Sequence, residues 1–160
     1  MIQAFMPIKK ADAAKCAVRG IIAGLASGIG LGMLLKVLQA LTNERVYTLL
    51  LNIDFVPFMP TRLPEIMEFA LHLAVSLPLG IVYLLAAERS GRPVMTGIAF
   101  GLVIAVLTWI PLTLLSDRVP SIDDGRALLL WLAAHICYGL LLSIFARRER
   151  LDESGYKAGG

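Results

Sequence analysis

The amino-acid sequence predicts an all-α fold, a four-helix transmembrane bundle with both termini on the cytoplasmic side. Three observations predict it. Hydrophobic residues make up 58% of the 160 and charged residues 17%, against about 45–50% and about 25% in a soluble domain. The apolar residues gather into four long blocks, 20–42, 64–87, 93–116 and 127–146. Each is long enough to cross a hydrocarbon core of about 30 Å at 1.5 Å per residue. Finally, ten of the 15 lysines and arginines fall in the N-terminal segment, the second loop and the tail. Positive charge prefers the cytoplasm, so those three segments are expected inside.

The segment 1–19 is basic, with Lys9, Lys10, Lys15 and Arg19, and is expected to lie at the cytoplasmic headgroups. Span one follows as a signal-anchor. "LQA" at 38–40 is a poor cleavage site because Leu38 is bulky. Its stretch "GIIAGLASGIGLG" places Gly20, Gly24, Gly28 and Gly32 four residues apart. Glycine costs about 1 kcal/mol against alanine in a water-exposed helix. In lipid an apolar surface gains little by leaving tails as apolar as itself, so close backbone packing through small residues supplies the attraction. The ridge therefore predicts a tight helix crossing, either within the chain or between two chains. Gly97 and Gly101 repeat the motif in span three, Ser76 and Gly80 in span two, and Gly139 and Ser143 in span four.

The external loop 43–63 is unusually apolar. Pro57, Pro60 and Pro64 keep it from forming one helix. Its stretch "VYTLLLNIDFVPF" is expected along the outer interface, with Tyr47, Phe55 and Phe58 at headgroup level, or as a lid or partner-docking surface. Spans two and three contain Pro78 and Pro111, which free carbonyls and kink helices. Asp123 and Asp124 precede span four and read as a turn and helix cap. The tail 147–160 is a basic stop followed by a polar segment. Spans one and three bear glycine pairs while spans two and four bear one histidine each. That echo suggests two parallel hairpins related by an axis along the membrane normal.

Ionisable residues inside spans are functional candidates. Here they are Lys36, Glu65, Glu68, His72 and His135. Counting helical rise, Lys36 and Glu68 reach the same level near the outer boundary and are expected to pair. Glu65, Glu68 and His72 share one helix face. His72 and His135 fall at a common depth of about 12–14 Å, on spans that lie diagonally in an up-down-up-down bundle. Polar packing accounts for them; a proton or ion path is the sharper alternative. No cofactor is expected, though two facing imidazoles are also the donors of a bis-histidine haem or a metal site. Two histidines alone do not complete a metal site, so no metal ligand set is assigned. Cys16 and Cys137 form no metal or redox motif and are expected to behave as small hydrophobes.

No nucleophile elbow, HExxH, P-loop or dinucleotide fingerprint is present, so the chain is not expected to be an enzyme. The net charge of +3 sits at span ends rather than on a basic face, which argues for lipid and against nucleic acid. "VYTLLLNIDFVP" followed by "EFALHLAVSLPLGIVYLL" resembles the small, uncharacterised four-span membrane proteins of bacteria. The resemblance implies an inner-membrane, multi-pass location and brings no activity with it. The functional expectation is helix–helix association, as a homo-oligomer or as the accessory subunit of a membrane protein partner. The alternatives are a small transporter or channel through Glu68, His72 and His135, and a haem or metal protein.

Overall fold

A computed structural model describes residues 10–53 and 63–158. Its elements are α1 (Lys10–Thr42), α2 (Val46–Leu50), α3 (Glu65–Ser90), α4 (Pro93–Leu114) and α5 (Gly125–Ala158). Among the described residues there is no strand, and four helices are long and apolar enough to cross a membrane. α1 starts ten residues ahead of the apolar block, because Ala11, Ala13, Ala14 and Lys15 are good helix formers. α5 likewise continues through the tail to Ala158.

Local chemistry sets the helix ends. Asn43 adopts a left-handed conformation, φ 61°, and stops α1. α3 ends at Gly91, φ 69°, whose N–H donates to Ala87 O at 3.1 Å. A residue with a Cβ is strained at that φ. Pro93 then opens α4 at a position where the missing N–H removes no helical bond. Asp124 caps α5, its Oδ1 accepting from the N–H groups of Arg126 and Ala127 at 3.1 and 3.0 Å. The neighbouring Asp123 accepts from Ser121 Oγ. That bond holds its carboxyl below the ordinary carboxylate range.

The outward faces carry large apolar side chains on each of the four long helices: Ile22, Val75, Val103 and Leu129 are all more than half exposed. A water-soluble chain does not leave such a continuous apolar surface uncovered. This exterior suits lipid. Cys137 belongs to it, exposed rather than tucked inside as its sequence context suggests.

The bundle is built as two tight hairpins, α1 with α3 and α4 with α5, joined chiefly through α1 and α5. Small residues make each hairpin. A Cβ on Gly20 would come 2.6 Å from Ile81 Cα, and one on Gly24 would strike Ser76 O. A Cβ on Gly80 would collide with Gly20 O and stand 2.7 Å from Gly24 Cα. In the second hairpin Gly97 and Gly139 each abut the other's carbonyl, and Gly101 abuts His135 O. Such proximity lets Cα–H groups meet carbonyl oxygens, each contact adding about 0.5–1 kcal/mol. The first ridge is therefore occupied within the chain, by Ser76, Leu77, Gly80 and Ile81. Gly32 is covered by the Phe69 ring, and Cys16 Sγ, one step beyond Gly20, reaches Glu88 Oε1 at 3.8 Å.

The segment expected along the outer interface turns inward instead. Val46, Leu49, Leu51 and Ile53 are buried, as is Tyr47. Phe55 and Phe58 lie outside the described residues. An apolar run finds protein interior as favourable as the interface, and here it plugs one end of the bundle. Polar bonds fasten it on both sides. Gln39 Oε1 accepts from the N–H groups of Tyr47 and Thr48 at 2.9 and 3.0 Å. Arg45 donates to Arg118 O at 2.9 Å, and Asn52 Nδ2 donates to Leu112 O at 3.1 Å, near the C-terminus of α4.

Candidate functional site

The α3–α4 seam is sparsely packed beside the two hairpins, and a cavity of about 790 Å³ lies along it. Leu50, Asn52 and Ile53 of the lid cover one end. α3 and α4 form the walls, and Trp131, His135 and Tyr138 of α5 form the back. Val75 and Leu107, 61% and 65% exposed, line it from opposite walls. Both lie well inside their helices, so the mouth opens sideways, between α3 and α4. Its depth from Glu68 to Leu79 is about 16 Å of helix.

Both walls hold a proline-disturbed turn. Pro78 has no N–H for the carbonyl of Ala74, and Pro111 none for that of Leu107. Ala74 and Leu107 both line the cavity. Proline ordinarily disturbs a helix at the turn before it, and here both disturbed turns border the cleft.

Of the five ionisable candidates, three line this cavity: Glu68, His72 and His135. The other two sit at its lid end. Lys36 Nζ pairs with Glu65 Oε1 at 2.6 Å, not with Glu68, and lies 5.3 Å from the centre of the Tyr47 ring. Tyr47 Oη donates to the same Glu65 oxygen at 2.9 Å. The correction is one helical turn. Lysine's long stem carries its charge toward the end of the bundle, where Glu65 keeps more water than Glu68. Both partners are about half exposed, 52% and 57%, so water screens the pair and it contributes little to stability. Burial, helped by the Glu65 carboxylate, pushes the Tyr47 phenol up to about 12.

The histidines share the cavity but face different partners. His72 Nε2 donates to Gly28 O of α1 at 3.1 Å, and its ring packs on Phe69. It thus stitches the first hairpin beside its glycines. His135 Nδ1 donates to Trp131 O at 2.9 Å. A carbonyl only accepts, so Nδ1 bears the proton and Nε2 of the neutral ring presents a lone pair. Among the described residues no hydrogen-bond partner meets that nitrogen. Trp131 stacks on the ring at 4.4 Å and donates Nε1 to Ala105 O at 3.1 Å, which fixes it against α4. No group of three or more metal-ligating side chains occurs among the described residues.

Tyr138, three residues past His135 on the same face, was not among the sequence candidates. It is 2% exposed, and its hydroxyl makes no hydrogen bond of ordinary length among the described residues, the Ser76 side chain being the polar group beside it. Trp131, His135 and Tyr138 follow i, i+4, i+7 spacing, the signal that could have found this face. Asn52, an amide inside an apolar run, could have marked the lid in the same way.

No protein family model, curated protein or solved structure matches this chain.

Proposed function

We propose that this is a multi-pass protein of a bacterial cytoplasmic membrane, termini inside, that takes a bilayer-borne hydrophobic molecule into the α3–α4 cleft. The observation that carries this reading is the cleft itself: apolar walls, a sideways mouth, and Glu68, His72 and His135 brought together on its lining. Small-molecule sites are commonly apolar hollows of about 300–1,000 Å³ with few convergent polar groups. The role is binding or carriage, without catalysis. The glycine ridge does not support a role in joining chains, because α3 already fills it. A haem reading is weaker, because His72 would have to release Gly28 or ligate through Nδ1.

Purification in mild detergent, followed by mass spectrometry of the retained lipid, tests the proposal. Wild-type protein should hold a lipid species enriched over the bulk membrane. Ala74→Trp, which fills the mouth from a lipid-facing position, should lose it. Equal lipid composition in both proteins and in the bulk would sink the reading.

A further inference from the structure

At the back of the cleft, His135 Nε2 and the Tyr138 hydroxyl make no hydrogen bond of ordinary length with the described residues, although the Ser76 side chain stands beside Tyr138. His135 Nε2 is an acceptor, because Nδ1–H is committed to Trp131 O. The Tyr138 hydroxyl is buried, makes no hydrogen bond of ordinary length, and is able to donate, with the Ser76 side chain as its polar neighbour. The two side chains are neighbours on α5, with ring centroids 6.4 Å apart, and both line the cavity. Leaving a buried polar atom such as the Tyr138 hydroxyl unpaired is costly. A ligand that supplied both partners would recover that cost.

We infer that the cleft binds a neutral lipid alcohol, its hydroxyl donating to His135 Nε2 and accepting from Tyr138 Oη, its chain lying along the α3 and α4 walls toward the mouth. This rests on the reading of the cleft as a lipid site. A hydroxyl is the small group that donates and accepts at one atom. An ether or a quinone carbonyl accepts only, which satisfies Tyr138 and leaves His135 unpaired. An anionic head is opposed twice. Among the described residues the lining contains no lysine or arginine, and its one carboxyl is Glu68. His135 also lies ten residues into α5, about 15 Å from its start, near the centre of a hydrocarbon core where an ion is costly. Isoprenoid alcohols and diacylglycerols share the required chemistry: one free hydroxyl on long apolar chains.

The protein carries its own reporter, since Trp131 lines the cavity and Trp109 stands 6.4 Å from it, centroid to centroid. Bromine quenches indole fluorescence at close range. The probes are 9,10-dibromooctadecanol, its methyl ether and 9,10-dibromostearic acid, titrated into the full-length protein in phosphatidylcholine nanodiscs. The alcohol should reach half-quenching at roughly tenfold lower concentration than the ether, the loss expected for one buried hydrogen bond. Tyr138→Phe should weaken the alcohol. His135→Asn, which keeps a donor for Trp131 O and removes the Nε2 acceptor, should erase the preference over the ether. Displacement of the bromo-alcohol by geranylgeraniol or by dioleoylglycerol would support the proposal and name the chain.

Equal quenching by alcohol and ether, absent from Ala74→Trp, would keep the cleft as a lipid site and overturn the hydroxyl assignment. Strongest quenching by the acid would overturn it in favour of an anion site. Failure of both competitors to displace the probe would also overturn it. Quenching unchanged in Ala74→Trp would be bulk partitioning, and with it the cleft reading itself would fall.

Discussion

Gly80→Ala tests the account of the first hairpin most directly. The new methyl carbon would stand 2.5 Å from Gly24 N and 2.7 Å from Gly24 Cα, and against Gly20 O. Comfortable carbon contacts need about 3.5–4.0 Å. All three obstacles are backbone, so α1 and α3 must part by about 1 Å along the crossing. Overpacking of this kind costs about 1–3 kcal/mol. Alanine's better helix propensity returns less than about 1 kcal/mol. A net loss of about 1–2 kcal/mol lowers the melting temperature by about 2–8 °C in a chain of this size. Thermal unfolding in detergent, followed by tryptophan fluorescence, reads the shift, and light scattering reads the mass. Gly125→Ala is the control, because nothing lies within 4 Å of a Cβ there; its melting temperature should hold or rise. The reasoning fails if both variants melt alike. It also fails if Gly80→Ala changes the mass and leaves the melting temperature alone, since that would place the ridge between chains.

Three further outcomes follow from the same geometry. Asp124→Ala removes the acceptor for two N–H groups at the start of α5 and should cost about 1 kcal/mol; an unchanged melting temperature would show the cap to be idle. Lys36→Met should leave the melting temperature close to that of wild type, given the exposure of the pair, and a fall as large as that of Gly80→Ala would contradict this. The Tyr47 phenol, raised to about 12, should appear near that pH in the alkaline absorbance difference between wild type and Tyr47→Phe. Because the folded value exceeds the unfolded value of about 10, its contribution to stability is complete below about pH 10. That contribution is lost as pH rises through about 12, and a transition near 10 would refute the burial of Tyr47.

Much of the architecture was legible because lipid imposes length and apolarity on any helix that crosses it. Gly97, Gly101, Gly139 and Ser143 could be recognised as packing positions, since few other reasons put small residues four apart in a membrane helix. Which helix meets which is a property of the assembled bundle and had to be seen. The level of Lys36 could be counted, but lysine's reach exceeds one helical turn, so rise alone does not separate Glu65 from Glu68. "VYTLLLNI" was misplaced for a related reason: hydropathy does not distinguish the bilayer interface from a protein interior. The cleft was least legible. A void is the absence of packing, and only Pro78 and Pro111 left a trace of it. Tyr138 went unnoticed because an aromatic residue in a span is ordinarily filler, and its isolation shows only when its neighbours are in place.

The link between α3 and α4 is two residues long, Gly91 and Arg92, and Tyr83 Oη braces it by donating to Pro93 O at 2.8 Å. Two stiff rods tied so closely at one end behave like the arms of a clothes peg. They part only by rotating about the tie, and the gap widens with distance from it. Val75 lies sixteen residues along α3 from Gly91, a lever of about 24 Å, so a few degrees of rotation open that level by an ångström or two. At the far ends of the arms, Asn52 grips α4 through Leu112 O, and Tyr47 grips α3 through Glu65. The segment between Tyr47 and Asn52 is thus a clasp across the jaws, fastened by these hydrogen bonds and by the buried Leu49 and Leu51 between them.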